Sequence, residues 1–261
     1  MDVSPTNSRQ SELGDFLRSR RQKLTPKAVG LPVGRRRRTP GLRREEVAEL
    51  AGIGVDWYVR LEQGRSVSPS AATIDALARA LRLSKAEHRH LTELTQNADR
   101  RPFVREIVPP AIRRTVEQLG LPAYVTGRRW DVLAWNESAD EIFAFSRRLE
   151  ADRNSLISVL TDPASRRLFG PSWADVARRM VSQFRATHDL WAGDPAFRDL
   201  LARLRDGCPE FVGWWETHDV SGVAAGRKSL IHPKKGQLKL EYTSFQANDD
   251  PGLKLVIYTP V

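Results

Sequence analysis

Residues Arg43–Arg65, RREEVAELAGIGVDWYVRLEQGR, decide how the chain is read. Leu42, Val47, Leu50 and Ala51 pattern a first helix, and Ala48 is small enough for a second helix to cross it closely. Gly52 breaks that helix where the chain must turn, and Gly54 keeps the junction short. A second helix is predicted from Val55 to Gln63, stopped by Gly64, since glycine readily takes the left-handed conformation that ends a helix. Two helices joined this way form a helix-turn-helix, whose second helix enters a major groove and presents its first turns to base edges. Immediately upstream, Arg35–Arg44, RRRRTPGLRR, holds six arginines in ten residues. A helical hairpin of an ordinary core has no need of such a run, whereas a phosphate-binding surface does.

Helical spacing places Tyr58 and Leu61 on the inward side of the second helix and leaves Val55, Asp56, Trp57, Val59 and Arg60 outward or marginal. Arg60 is suited to donate two hydrogen bonds to guanine O6 and N7, and Val55 to touch a thymine methyl. Asp56 either accepts from a cytosine amino group, caps the helix or orients Arg60. Trp57 packs either on the sugar-phosphate backbone or into the core. Arg43, Arg44 and Arg65 flank the groove as phosphate ligands. Arg35, Arg36, Arg37 and Arg38 reach along the backbone or into a narrow minor groove, or else form a solvated run. Glu62 is read as structural, because phosphates repel its charge.

At 261 residues two domains are expected. A hydrophobic fraction of 40% and seven Trp with nine Phe provide for a core. The net charge of +10 is uneven: residues 1–100 hold 19 Lys and Arg against 12 Asp and Glu. The basic end is the helix-turn-helix end, which favours nucleic acid over an acidic protein or a membrane. Cys208 is alone, so no internal disulfide forms, in keeping with a reducing cytoplasm. No apolar run spans a membrane and the polar N-terminus lacks a secretory pattern, so a cytoplasmic location is expected.

Along the chain, residues 1–10 are expected to be a disordered tail. Helices over Ser11–Leu24, the hairpin, Ser70–Arg82 and Ser84–Gln96 complete a five-helix bundle at 11–96, with Ser84 and Glu87 forming a capping box. Residues 97–110 read as a linker. Beyond it, strands are predicted at 122–126 and 130–136, then a helical middle with amphipathic helices from Trp173 and from Pro195, then strands at 228–232, 237–245 and 253–259. Residues 111–261 are thus an α+β domain with an antiparallel sheet.

The first hundred residues resemble the Xre/Cro family of phage-repressor-type, lambda-repressor-like regulators. TPGLRREEVAELAGIGVDWYVRLEQGR is similar to an actinobacterial branch carrying an MmyB-like ligand-binding domain. PAYVTGRRWDVLAWN at 122–136, FVGWWETHDV at 211–220 and HPKKGQLKL at 232–240 resemble landmarks of that domain. The resemblance implies a PAS-like C-terminal domain that binds a small apolar molecule such as a fatty acid and tunes DNA binding. Phage repressors place Gln where Arg44 stands, so their base code does not carry over.

Six tryptophans lie beyond residue 129, so the candidate pocket is Trp130, Trp135, Phe143, Met180, Phe184, Trp214, Trp215 and His218, with a filled aromatic core as the alternative. A ligand carboxylate would find its donor in Arg128, Arg129 or His218. His218 and His232 lack partners at metal-ligand spacing, and no phosphate loop, nucleophile elbow or paired-carboxylate motif is present, so neither metal, cofactor nor catalysis is expected. The sequence therefore reads as a sequence-specific, homodimeric regulator of transcription acting on double-stranded DNA. Its rivals are a regulator whose second domain only dimerises or binds a protein, and an enzyme fused to a DNA-binding module.

Overall fold

The computed structural model describes residues 5–32, 39–65, 68–96, 102–222 and 225–261. The chain divides into two compact units, one built from residues 1–102 with 184–198 and 216–221, the other from 103–183, 199–215 and 222–261. The boundary differs from the linear expectation of one domain at 11–96 and another at 111–261: two later segments belong with the helical bundle.

In the first unit, α1 (Pro5–Lys23), α2 (Arg44–Ala51), α3 (Val55–Glu62), α4 (Ala71–Ala80) and α5 (Lys85–Thr95) enclose one apolar core. Ser70 accepts from the Thr73 N–H and Ser84 from Glu87, so both later helices start on the caps their sequence supplies. Gly52 ends α2 at φ 65°, where a side chain would be strained, and this sharp exit sets up the turn into α3. At Gly14 of α1 a Cβ would stand 2.5 Å from the Glu62 carbonyl, so the absence of a side chain lets α1 lie against the end of α3. Leu50, expected in the core, is instead 37% exposed: the core side of α2 is carried by Val47, Ala48 and Ala51.

Helix α1 begins at Pro5, so residues 5–10 are helical rather than disordered. Long-range contacts hold them: the Arg9 guanidinium donates to the Glu93 carbonyl, and the Gln10 backbone packs on Gly64.

Glu62 is the ionic centre of the bundle. Its side chain is fully buried; Arg21 Nε and Nη2 donate to its two oxygens at 2.7 and 2.8 Å, and Arg44 Nε donates at 2.8 Å. Arg21 Nη1 also donates to the Leu42 carbonyl at 2.8 Å. Burial opposes ionisation of Glu62, but the Arg21 and Arg44 guanidiniums outweigh it and hold the carboxyl below its ordinary range. One carboxylate thereby joins α1, α2 and α3.

A second buried group lies among the segments that join this unit late. Asp189 accepts from His90 of α5 at 3.1 Å and from its neighbour His188 at 3.0 Å, with Arg185 at 3.6 Å. Arg20 Nη2 donates to the His218 carbonyl at 2.7 Å and Lys23 to Asp219 at 2.6 Å, while Leu190 and Val220 pack on the bundle core. These pairings explain why 184–198 and 216–221 group with the helices.

The second unit starts with extended chain at 102–109 and α6 (Pro110–Gln118). Strands β1 (Ala123–Thr126) and β2 (Val132–Trp135) follow, then α7 (Glu137–Phe143), α8 (Ser155–Thr161), α9 (Pro163–Phe169), the long α10 (Trp173–Leu190), α11 (Pro195–Gly207) and α12 (Pro209–Glu216). Strands β3 (Gly226–His232), β4 (Gly236–Gln246) and β5 (Lys254–Pro260) close the chain. The five strands form one antiparallel sheet in the order β2-β1-β5-β4-β3. This is the α+β arrangement expected. Asn136 ties the return from β2: its Oδ1 accepts from the Ala123 and Ala139 N–H groups, and its Nδ2 donates to the Leu119 and Leu121 carbonyls.

Replacing Glu62 by Gln strands Arg21 without its counter-charge, and removing one partner of a buried ion pair costs about 3–5 kcal/mol. The Glu62 carboxyl is depressed in the folded state, so its contribution is full above the unfolded carboxylate value and lost as pH falls through the lower folded one. Urea unfolding followed by helical signal should therefore show a large deficit for Glu62→Gln at pH 7 that shrinks below about pH 4.3.

Candidate nucleic-acid interface and ligand cavity

On α3 the side chains of Val55, Asp56 and Arg60 are exposed, Trp57 is half-buried against the core, and Tyr58 and Leu61 are fully buried. The helix thus turns its expected face outward. The Arg60 side chain makes no hydrogen bond or ion pair with any described residue, and neither does that of Asp56, so the Asp56 carboxylate does not orient Arg60. Arg43 and Arg65 are exposed beside it. Arg44 departs from the expectation of a simple phosphate ligand, because its Nε is engaged by Glu62. Arg35, Arg36, Arg37 and Arg38 lie outside the described residues.

The second unit holds a cavity of about 280 Å³ between one face of the sheet and α10. Residues two apart on a strand share a face, and the antiparallel register aligns them in rows. Thr126, Lys254 and Gln246 form one row, Tyr124, Val256 and Ser244 the next, and Tyr258 and Tyr242 another. Of these all but Gln246 line the cavity. Opposite, Val176, Arg179, Met180 and Gln183 of α10 close it, spaced to fall on one helical stripe. Trp130 closes one flank. It adopts φ 66°, an uncommon conformation for a bulky residue, and is anchored by its N–H to the Gly127 carbonyl and by its own carbonyl from Ser155 N–H.

A second cavity of about 790 Å³ shares Tyr124, Ser155, Met180, Lys228 and Tyr258 with the first and continues past Phe143, Phe145, Leu168 and Phe169. At the junction Lys228 Nζ donates to the Tyr258 hydroxyl at 3.0 Å and lies 4.9–5.5 Å from the ring centres of Phe169, Tyr242 and Tyr258. The Tyr124 and Tyr258 hydroxyls are 3.4 Å apart, and burial raises both phenols above their ordinary range, so they stay protonated.

Of the eight aromatic and polar residues expected at the pocket, Trp130, Met180 and Phe143 line the cavities. Trp135 stacks near Phe145 beneath Arg153, Trp214 packs on Trp173, and Trp215 on Phe211. Phe184 and His218 belong to the first unit, where Phe184 stacks on Phe197 and His218 Nδ1 accepts from Arg185 at 3.2 Å. Phe184 and Trp215 are buried and Trp135, Trp214 and His218 half-buried in these contacts rather than at a cavity. The expected carboxylate donors are also spent: Arg128 pairs with Glu106 and Asp250, and Arg129 with Asp131. What the sequence reading missed is the tyrosine and lysine set on the sheet. The alternation of Leu238, Leu240 and Tyr242 marked a two-sided strand, but not which face would meet a cavity.

His232 is structural, donating from Nε2 to the Glu141 carbonyl and accepting at Nδ1 from Lys234 and Lys235 N–H groups. Among the described residues Glu12, His188 and Asp189 bring ligand atoms within 4.8 Å of one another, but Arg185 lies 3.7 Å from Glu12 and 3.6 Å from Asp189 and opposes a cation there. No described helix is long and apolar enough to cross a membrane.

Residues 12–91 match a family model described as a helix-turn-helix domain, and residues 108–261 match one described as an MmyB-like transcription regulator ligand binding domain. No curated protein matches the chain.

Arg60→Ala should weaken the preferred duplex by about 1–3 kcal/mol and relax sequence preference. Arg65→Ala should weaken all duplexes alike and flatten the log–log salt slope by about 0.9. Gel-shift titrations on specific and random duplexes at several salt concentrations check both, and equal losses on the two duplexes for Arg60→Ala would remove it from base reading.

Proposed function

Because the chain belongs to the MmyB-like transcription regulators, joining a helix-turn-helix DNA-binding domain to a small-molecule-binding domain, we propose that its ligand is a fatty acid or similar single-chain amphiphile and that it acts as a homodimer in the cytoplasm. The observation that carries the ligand reading is the pair of adjoining cavities on the sheet. Ligand pockets run to about 300–1,000 Å³ with mostly apolar walls and few polar groups. The smaller cavity lies just below that range and the larger within it. Their shared wall of Tyr124, Met180 and Tyr258 offers apolar surface to an acyl chain, and burying each methylene contributes about 0.8 kcal/mol. In this reading the cavity binds and does not catalyse, and occupancy alters the affinity for DNA.

The protein purified under native conditions should carry an acyl compound detectable by native mass spectrometry, and added medium-chain fatty acids should raise its Tm. Enlarging a cavity-lining contact with Met180→Trp should abolish both effects. A protein that neither carries nor is stabilised by acyl compounds would leave the second domain as a dimerisation or partner-binding module.

Dimerisation is supported by the small reach of one recognition helix, which spans too few base pairs for useful specificity. Two copies related by a two-fold axis would read half-sites about 34 Å apart or a multiple of that spacing. Sedimentation on and off DNA, with footprinting for the spacing, checks this; a monomer in both states would refute it.

A further inference from the structure

Within the ligand reading just given, on which this inference rests, we propose that the ligand is an anion and that Lys254 receives its head group, with the tail directed along the tyrosine rows toward Lys228. Lys254 sits on β5 in register with Thr126 of β1 and Gln246 of β4, at the end of the sheet face that lines the smaller cavity. Its side chain is half-buried and has no hydrogen-bond or ion-pair partner among the described residues. Burial alone holds its amine below the ordinary lysine range. A cation withdrawn from water without a counter-charge is destabilised, and an anion brought by a ligand relieves that cost.

The contrast with the other cations of this unit sharpens the assignment. Arg128, Arg129, Arg148 and Arg166 are each paired with a carboxylate. Lys228 is satisfied by the Tyr258 hydroxyl and three aromatic faces. Arg179, Arg227, Lys228 and Lys254 line the cavity with the carboxylate of Asp175. Arg179 and Arg227 are exposed and Arg227 lies 3.9 Å from Glu241, so Lys254 is the half-buried cation of this wall without a hydrogen-bond or ion-pair partner among the described residues. From Lys254 the rows lead through Tyr124 and Val256 to Tyr258, the entrance to the larger cavity. An amphiphile placed this way sets its charge on the lysine that lacks a partner and its chain on the apolar wall.

The test compares dodecanoic acid with its methyl ester on the full-length protein by calorimetric titration at neutral pH. Wild type should bind the acid at least about tenfold more tightly, because the ester brings no negative charge to the Lys254 amine. Lys254→Met should erase the difference in affinity between acid and ester, with an unchanged circular dichroism spectrum of the variant showing that it folds. Lys254→Arg should keep the preference for the acid. Wild type binding acid and ester equally would overturn the head-group assignment while leaving the acyl reading intact. Retention of the preference in Lys254→Met, or its loss in Lys228→Met instead, would overturn the assignment to Lys254. Wild type that binds neither compound would overturn the acyl reading and this inference with it.

Discussion

The buried carboxylate of Glu62 fixes the geometry on which the DNA-reading surface depends. It closes α3, yet its partners come from α1 and α2, so the recognition helix is held at its C-terminal end by charges it does not itself carry. Isolated helices of eight residues do not persist in water, so the pose of α3 rests on what it packs against. Tyr58 and Leu61 supply apolar burial, which is non-directional, while the two-oxygen pairing with Arg21 supplies orientation. With the inward face so committed, Val55 is left exposed, and the exposed Asp56 and Arg60 side chains have no hydrogen-bond or ion-pair partner among the described residues.

The sheet domain uses buried polarity differently. Asn136 saturates four backbone groups around the β1–β2 return, and Asn154 does similar work one turn on, accepting from Leu156 and Ile157 N–H groups while donating to the Arg129 carbonyl and Asp131. Both amides are enclosed and fully used, so they rigidify the frame around the cavity. The cavity wall instead presents hydroxyls, the Met180 thioether and the Arg179, Arg227, Lys228 and Lys254 cations beside Asp175 and Gln183.

The helix-turn-helix was legible because its signals are local: Gly52, the Ser70 and Ser84 caps and the alternation of inward Tyr58 and Leu61 with outward Arg60 all act within a few residues. The presence and approximate limits of the five strands were likewise legible from alternation and turns, but not their order in the sheet. Nor was the cavity. Its rows join Tyr124 to Val256 and Ser244, more than a hundred residues apart in sequence, and only the register decides which of two alternating faces is lined. Counting tryptophans pointed to the domain and to Trp130, but not to the tyrosines and lysines of the wall, since large rings serve a filled core as readily as a pocket. The role of Arg44 was half legible for the same reason: arginine next to a recognition helix suggests phosphate, and nothing nearby reveals a carboxylate waiting from α3.

Lys228 stands where the two cavities meet and, like Met180, which also lines both, is long and rotatable. A cation over aromatic rings gains only about 0.5–2 kcal/mol, far less than the rigid tyrosine wall would cost to move. The two spaces are thus joined at flexible side chains as well as at tyrosines, and a side chain can swing without moving the backbone. For the acyl ligand proposed above, a short chain would leave these side chains in place and a longer one would displace them at a cost a few added methylenes recover, so tolerance for ligand length would be set by their swing.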